Sequence, residues 1–238
     1  MLLRLPGTYP AQGDTRLLAR TLRRRGLAPG RRVLDLCTGT GALALASAAA
    51  GAREVVAVDL SRRVVWNARI NAALARANVE VRTGDLFEPV VGERFDLVTV
   101  NPPYVPAAVA TLPRHTIARS WDAGVDGRAL LDRICVGVPE VLEPGGVLLL
   151  THSVLADADR TLEQLTVAGL DAEVVERVEE PFGPVMRRRA EMLRRRGLLA
   201  PGQQSEELVV IEGRVRSRAR ARSVPEVDQG LARADHAA

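Results

Sequence analysis

Polar side chains stand at or near the ends of the first four apolar segments that read as β-strands. Asp35 lies in "RRVLDLC", Asp59 ends "EVVAVD", Asp85 follows "VEVRT", and Asn101 follows "FDLVTV". Ligands of open α/β sheets bind beyond the carboxyl ends of the strands, so we expect these four side chains to share one edge of a sheet. The chemistry of the protein should be found at that edge.

A glycine-rich turn follows the first of these strands. In "DLCTGTG", Gly39 and Gly41 allow the backbone to approach a ligand, and the helix that opens there offers unpaired N–H groups. Asp59 lies 18 residues past Gly41, where a carboxylate can accept both hydroxyls of a ribose. Asp85 can accept a hydrogen bond from the amine of adenine. The pattern predicts an adenosine-containing cofactor, but "GTGALA" also fits a nicotinamide-binding loop, so a dehydrogenase stays open at this point.

The turn "NPPY" at residues 101–104 separates these two classes. Proline removes a backbone donor and fixes φ, so two consecutive prolines cannot continue a sheet ladder. A proline also restricts the residue before it, and we expect Asn101 and Tyr104 to be held in a stiff, extended pose. A dehydrogenase has no need of such a turn.

Several motifs in this order resemble the class I S-adenosylmethionine-dependent methyltransferases that methylate amino groups: "DLCTGTG", "VDLS", "GDLF" and "NPPY". Four further segments make the chain similar to the short branch of the HemK (PrmC) family of protein-glutamine N5-methyltransferases, which lacks an N-terminal helical domain. These segments are "YPAQGDTRLL", "WNARINA", "WDAGVDGRALLDR" and "LEPGGVLLLTHS", and the resemblance covers residues 5–213. NPPY is specific for the reaction class and not for the substrate, because DNA-adenine and some RNA methyltransferases share it.

The resemblance implies S-adenosylmethionine as the cofactor and a role for each residue of the turn. Methyl transfer to nitrogen is an in-line displacement that depends on orientation. The side-chain carbonyl of Asn101 and the backbone carbonyl of Pro102 would accept the two N–H groups of a planar amide and stabilise the charge that develops on its nitrogen. The Tyr104 ring would stack on the amide and exclude water. We expect Asn101, Pro102, Pro103 and Tyr104 to be catalytic, and Asn101, Pro102 and Tyr104 to contact the substrate.

The same resemblance implies the cofactor contacts. In the short branch the N-terminal "YxP…DT" segment closes over the cofactor, which brings in Thr15 and makes Tyr9 and Asp14 candidates. Asp14 or Thr15 would otherwise cap the first helix. Two departures from the family pattern are Cys37, where glycine is common, and "AQGD", which lacks the acid usual two places before the threonine. The predicted cofactor-binding residues are Thr15, Asp35, Cys37, Thr38, Gly39, Gly41, Asp59, Leu60, Asp85, Leu86 and Asn101.

The rest of the sequence alternates short apolar runs with helical segments, which predicts a parallel sheet with helices on both faces. The last two runs, "DAEVVERVEE" and "EELVVIEGRV", lack a comparable helical crossover, which favours antiparallel pairing at one edge. We therefore predict an α/β, Rossmann-like, seven-stranded class I methyltransferase fold, mostly parallel with an antiparallel edge. The methyltransferase domain is expected over residues 1–213, with an N-terminal lid and helix in 1–30 and a disordered, Arg-rich tail at 214–238.

The net charge of the chain resides mainly in this tail. All 33 basic residues are arginine; six of them oppose three acids in the tail, which leaves 27 arginines against 26 acids in residues 1–213. A near-neutral body argues against nucleic-acid binding. The two cysteines, Cys37 and Cys135, give neither a disulfide framework nor a metal-binding spacing. No apolar run is long enough to cross a bilayer. We expect a cytoplasmic protein with no metal and no membrane partner.

The function favoured by the sequence is methylation of a side-chain amide nitrogen, with the glutamine of a release-factor GGQ loop as the acceptor. Adenine in nucleic acid and a small-molecule amine are the alternative acceptors, and a non-catalytic S-adenosylmethionine-binding module is a third reading. A small activator subunit that covers an edge strand is left open. We interpret the helical segment "RRRAEMLRRRG" as a solvated charged face in preference to a docking surface for an acidic partner.

Overall fold

The computed structural model describes residues 2–113 and 117–216, which contain one seven-stranded sheet and six α-helices within that part of the chain. The strands are β1 (Arg32–Leu36), β2 (Glu54–Asp59), β3 (Val79–Thr83), β4 (Phe95–Val100), β5 (Leu142–Ser153), β6 (Leu170–Pro181) and β7 (Ser205–Val215). The helices are α1 (Gly13–Arg24), α2 (Ala42–Ala49), α3 (Arg62–Leu74), α4 (Leu131–Val141), α5 (Ala158–Val167) and α6 (Pro184–Arg195).

The strand order is β3-β2-β1-β4-β5-β7-β6. The first five strands pair in parallel, and β7 pairs antiparallel with both β5 and β6. The predicted fold class, including the antiparallel edge, is confirmed. The order reverses between β1 and β4, and such a switch point opens a crevice beyond the carboxyl ends of the strands.

The central strands are apolar on both faces. Val33 and Leu34 of β1 and Leu97 and Val98 of β4 are all fully buried. Successive residues of a strand face opposite sides, so both sides of the sheet are covered there, as expected for parallel strands between helical layers. No helix in the described ranges combines the length and the apolar character that crossing a bilayer would need.

Helix α1 begins one to two residues before Asp14 and Thr15, the candidate N-cap residues. It starts at Gly13 with Gln12 at the N-cap, and no side chain caps it. The expectation that Asp14 or Thr15 caps this helix is therefore wrong, because both residues lie inside its first turn. The helix is fixed by an apolar face, whose residues Leu17, Leu18 and Leu22 are at most 4% exposed.

Three other boundaries differ from the sequence prediction. The segment "GRALLDRICVGVPEVL" predicts a helix from Gly127, but α4 begins at Leu131, and Gly127 has a φ of 78°, outside the helical region. The segment "EPGG" that follows predicts a turn, but strand β5 begins at Leu142 and includes it. Strand β7 continues to Val215, so the first two residues of the predicted tail belong to the sheet. The disorder predicted for the tail concerns residues that lie almost entirely outside the described ranges.

Candidate active site

Asp35 is the buried anchor of the loop that follows β1. It is fully buried, and its carboxylate accepts hydrogen bonds from Thr38 Oγ1 (2.6 Å), the Ala44 N–H (3.1 Å) and Thr99 Oγ1 (2.8 Å). Burial raises the pKa of Asp35 to about 6, although these hydrogen bonds oppose the shift. The carboxylate faces the loop and the first turn of α2 and does not line the crevice. Asp35 therefore shapes the loop, and its predicted direct contact with the cofactor stays a prediction.

The loop itself has an unusual backbone. Cys37, Gly39 and Gly41 all have positive φ, at 56°, 57° and 84°. A Cβ at Gly39 would meet no atom closer than the Cys37 carbonyl oxygen at 4.0 Å, so a ligand can approach this backbone closely. A Cβ at Gly41 would instead meet Ala68 of α3 at 3.4 Å. Gly41 therefore packs against α3 and is not among the residues that line the crevice, and its predicted contact with the cofactor stays a prediction.

Asp59 connects the end of β2 to this loop. Its Oδ2 accepts the Gly39 N–H at 3.0 Å, and its Oδ1 accepts the Ser61 N–H at 3.0 Å. Each oxygen keeps a second lone pair, so the carboxylate can still accept two hydroxyl groups. Burial raises the pKa of Asp59, against the effect of the backbone hydrogen bonds. Ser61, a residue type preferred at helix N-caps, lies at the N-cap of α3, but its side chain makes no capping hydrogen bond.

Asp85 forms an ion pair at the wall of the crevice. Arg133 Nη2 lies 3.0 Å from Asp85 Oδ2, and Arg133 Nη1 donates to Asp85 Oδ1 at 3.2 Å. Both residues line the crevice, and so does the adjacent Leu86. The guanidinium shares the oxygens that were expected to bind adenine, and that adenine contact stays a prediction. Arg133 was missed in the sequence, although it lies in the family-like segment "WDAGVDGRALLDR".

The NPPY turn is bound by side chains of the first turn of α1. Asn101 Nδ2 donates to Thr15 Oγ1 at 3.0 Å, and the Tyr104 hydroxyl donates to Asp14 Oδ2 at 3.1 Å. Asp14 Oδ1 also accepts the Thr15 N–H at 2.6 Å, which fixes the two α1 side chains relative to each other. The N-terminal segment and the NPPY turn therefore form one wall of the crevice, and the cofactor contact expected of Thr15 stays a prediction.

Tyr104 is fixed by contacts of its backbone as well as of its side chain. Its side chain is 8% exposed, and burial together with the nearby Asp14 and Glu206 carboxylates raises its pKa well above the usual value. Gly127 packs against its backbone so closely that a Cβ there would lie 2.3 Å from the Tyr104 carbonyl oxygen. Gly127 thus supports the turn, a role that its place in the sequence did not reveal.

Two buried asparagines explain the motif "WNARINA". Asn67 and Asn71 of α3 are at most 2% exposed. The Leu3 N–H donates to Asn71 Oδ1 at 2.8 Å, and the Leu5 N–H donates to Asn67 Oδ1 at 3.0 Å. Asn71 Nδ2 also donates to the Thr40 carbonyl at 2.9 Å. The motif therefore joins the N-terminal segment to the glycine loop.

An aromatic pair, Tyr9 and Trp121, also lines the crevice. The rings of Tyr9 and Trp121 have centroids 5.2 Å apart and are tilted by 52°. Burial and nearby carboxylates raise the pKa of Tyr9 to about 12. Of the predicted site residues, the structure brings these to the crevice wall: Thr15, Cys37, Thr38, Gly39, Asp59, Leu60, Asp85, Leu86, Asn101, Pro102, Pro103 and Tyr104.

The wall residues fit a nucleoside with an attached sulfonium. The loop around Gly39 leaves room for a ligand, and the neighbouring Asp59 carboxylate, which also lines the crevice, offers acceptors for the hydroxyl groups of a ribose. The crevice continues from this end to Asn101 and Tyr104, so one extended ligand can contact both Asp59 and the NPPY turn.

Comparisons with known proteins agree with this geometry. Residues 7–118 match the model of the family described as the methyltransferase small domain. A Methanocaldococcus jannaschii protein named as a protein N5-glutamine methyltransferase is 33% identical over 181 residues, which is 76% of this chain and 90% of the relative. The chain belongs to the protein N5-glutamine methyltransferase family. Members of the family use S-adenosylmethionine, and this protein is accordingly an S-adenosylmethionine-dependent methyltransferase.

Other matches of this N5-glutamine methyltransferase extend over different lengths. The release factor glutamine methyltransferase of Xylella fastidiosa is 37% identical over 142 residues, which is 57% of this chain and 52% of the relative. The chain thus spans about half the length of that relative. Among solved structures, Mtq2 of E. cuniculi, in its complex with Trm112, superposes with a TM-score of 0.62 at 23% identity. The superposition covers 88% of this chain and 99% of the other, and at this identity it shows the fold alone.

Proposed function

We propose that this methyltransferase modifies the N5 atom of a glutamine side chain in a protein, and that the acceptor is the glutamine of a release-factor GGQ loop. The name of the Xylella fastidiosa relative supports this acceptor, as does membership of the N5-glutamine family. A release factor as the substrate would also place the enzyme in the cytoplasm. The domain that carries this activity is proposed to span residues 1–215, two residues more than the sequence suggested.

The orientation of Asn101 carries the proposal. Its Nδ2 donates to Thr15 Oγ1, so its carbonyl Oδ1 is the atom left to bind a substrate. Within the described part of the chain, Oδ1 has no hydrogen-bond partner, and neither does the backbone carbonyl of Pro102. Two adjacent acceptors suit the two N–H groups of a primary amide, which a glutamine side chain presents.

The chain's own groups would orient the acceptor nitrogen. The bound cofactor supplies a methyl group on a sulfonium, which is a good leaving group. Asn101 Oδ1 and the Pro102 carbonyl would hold the amide NH₂ in one plane and would stabilise the positive charge that develops on its nitrogen during methyl transfer. The methylated nitrogen would then lose one proton to solvent water. The Tyr104 ring, fixed through its hydroxyl to Asp14, covers the planar amide and excludes water.

A small activator subunit is the further partner that we propose to test. The solved Mtq2 structure is a complex with Trm112. Co-expression of this chain with a candidate subunit, followed by size-exclusion chromatography and an activity measurement, would show whether a partner is needed for turnover.

Incubation with labelled S-adenosylmethionine and a purified release factor tests the acceptor. We expect one label, located by mass spectrometry at the glutamine of the GGQ loop, and no label when that glutamine is replaced by alanine. Binding of S-adenosylmethionine without transfer to the release factor would count against this acceptor.

Asn101→Ala tests the role of the turn. We expect kcat to fall by about 10²-fold or more while the Kd for S-adenosylmethionine changes little, because the lost acceptor acts on the developing charge. Asn78→Ala is the matched control, since Asn78 is exposed, donates a side-chain hydrogen bond to the Arg53 carbonyl and is not among the residues that line the crevice. Unchanged turnover of the Asn101 variant would overturn the assignment.

A further inference from the structure

The arginine-rich helix α6 is not only a solvated face. Its Arg188 and Arg195 are exposed, as the sequence interpretation expected. Arg189, between them, has a side chain that is only 21% exposed. Met186, Ala190 and Leu193 are buried, so this side of α6 faces the body of the protein.

Arg189 contacts both strands of a small ladder that follows the NPPY turn. Its Nη1 donates to the Pro106 carbonyl at 2.8 Å, and its Nη2 forms an ion pair with Asp122. Arg196, just beyond the end of α6, donates through Nη1 to the neighbouring Ala107 carbonyl at 3.1 Å. The two guanidinium groups therefore hold backbone that lies directly next to the candidate active site.

The ladder consists of residues 105–107 and 121–124. The Val105 N–H donates to the Trp121 carbonyl at 2.8 Å, and the Ala107 N–H donates to the Gly124 carbonyl at 2.7 Å. The Ala123 N–H returns a hydrogen bond to the Val105 carbonyl at 3.2 Å. Val105, Trp121 and Asp122 line the crevice, so the ladder is one of its walls.

The ion pair also compensates the charge of a buried carboxylate, that of Asp122. Asp122 is 8% exposed, and burial raises its pKa, which Arg189 opposes. Arg189 is the only cation that pairs with Asp122 among residues 2–113 and 117–216. Removal of the guanidinium would leave a carboxylate without its partner in the wall of the crevice, which favours displacement of that wall.

We propose that Arg189 is a positioning residue: it holds the ladder of residues 105–107 and 121–124 in the shape that receives the protein substrate. This proposal rests on the proposed function, because it deepens the account of how the same site binds its acceptor. Arg189 lies behind the wall and does not touch the reacting atoms, so it acts through the ladder.

Arg189→Gln and Arg188→Gln form a matched pair on the same helix. We expect Arg189→Gln to raise the KM for the protein substrate by about tenfold or more, since charge-assisted hydrogen bonds are lost. The kcat at saturating substrate and the Kd for S-adenosylmethionine should stay close to the wild-type values, and Arg189→Lys should restore part of the KM. Arg188→Gln should behave as wild type. An unchanged KM, or an equal loss in both Gln variants, would overturn the positioning role.

Amide hydrogen exchange tests, without any substrate, whether Arg189 holds the ladder in place. The amides of Val105, Ala107 and Ala123 should exchange faster in Arg189→Gln than in Arg188→Gln, while amides of the central strands keep their protection. Unchanged exchange at these three amides would refute the role of Arg189 in holding the ladder, whether or not methyl transfer is detected. If the wild-type enzyme transfers no methyl group to the release factor but the three amides exchange faster in Arg189→Gln, the proposed acceptor is refuted. The role of Arg189 in holding the ladder is then still supported.

Discussion

Gly127→Ala probes how tightly the NPPY turn is supported. The Cβ of an alanine would lie 2.3 Å from the Tyr104 carbonyl oxygen, whereas carbon–oxygen contacts in proteins begin at about 3.3 Å. The neighbour is backbone and cannot rotate away. Either the turn or the segment that contains Gly127 must therefore move by about 1 Å.

The displacement sets the size of the expected effect. A misplacement of about 1 Å near reacting groups can lower the rate by about 10²-fold, and Tyr104 follows directly after the Asn101–Pro102 acceptor pair. The φ of 78° at this position adds a backbone cost of about 1–2 kcal/mol for any residue with a Cβ. We expect kcat to fall by about 10²-fold with little change in S-adenosylmethionine affinity, because the glycine loop lies elsewhere.

Gly145→Ala separates the steric effect from the backbone cost. Gly145 has a φ of 79°, nearly the same as Gly127, but a Cβ there would meet no atom within 4 Å. In urea titrations Gly145→Ala should lose only the backbone cost, whereas Gly127→Ala should lose more stability because the clash adds to it. Only Gly127→Ala should also lose turnover in a methyl-transfer assay at saturating substrates. Equal activity of the two variants would refute the argument that Gly127 positions the turn.

Thr15→Val should lower kcat by about tenfold, since Asn101 Nδ2 loses its acceptor, while Thr15→Ser should keep wild-type turnover in the same assay. Cys37→Gly should raise the free energy of unfolding, measured in urea titrations, by up to about 1 kcal/mol. Glycine adopts the φ of 56° found at this position without the steric cost that cysteine has. A lower free energy of unfolding in the variant would contradict this. Burial, with the Asp14 and Glu180 carboxylates nearby, raises the pKa of Glu206 from 4.5 to about 7. The neutral form is preferred in the fold, so stability falls as the pH rises between these two values. Glu206→Gln should therefore stabilise the protein by up to roughly 3 kcal/mol at about pH 8 and hardly at all at pH 4.5, and an equal effect at both would be contrary evidence.

Much of the fold followed from local pattern. The alternation of apolar runs with helices predicted the parallel sheet, and the rule for strand ends located the crevice. Asp59, Asp85 and Asn101 all line it, as their positions after β2, β3 and β4 indicated. These features depend on residues that are close together in the sequence.

The remaining features depend on contacts between distant segments. Asn101 and Thr15 are 86 residues apart, and no local pattern indicates that one donates to the other. Asp35 has the position of a cofactor ligand, yet Thr38, Ala44 and Thr99 occupy its oxygens because they converge on it in three dimensions. In the sequence Arg189 cannot be distinguished from the neighbouring surface arginines, because its partners Pro106 and Asp122 lie in a distant segment. Side-chain partners of this kind are set by packing rather than by periodicity.

The buried face of α1 limits which part of the N-terminal region can act as a gate. Swinging this helix away would expose Leu17, Leu18 and Leu22, at a cost of about 5–9 kcal/mol, so fewer than about one molecule in a thousand would have it open at any moment. The preceding residues Leu3 and Leu5 are held by hydrogen bonds to Asn71 and Asn67, which are cheaper to exchange for water than three buried leucines. An opening of the N-terminal region would therefore cost less in the stretch before Gly13 than in α1, which carries Thr15.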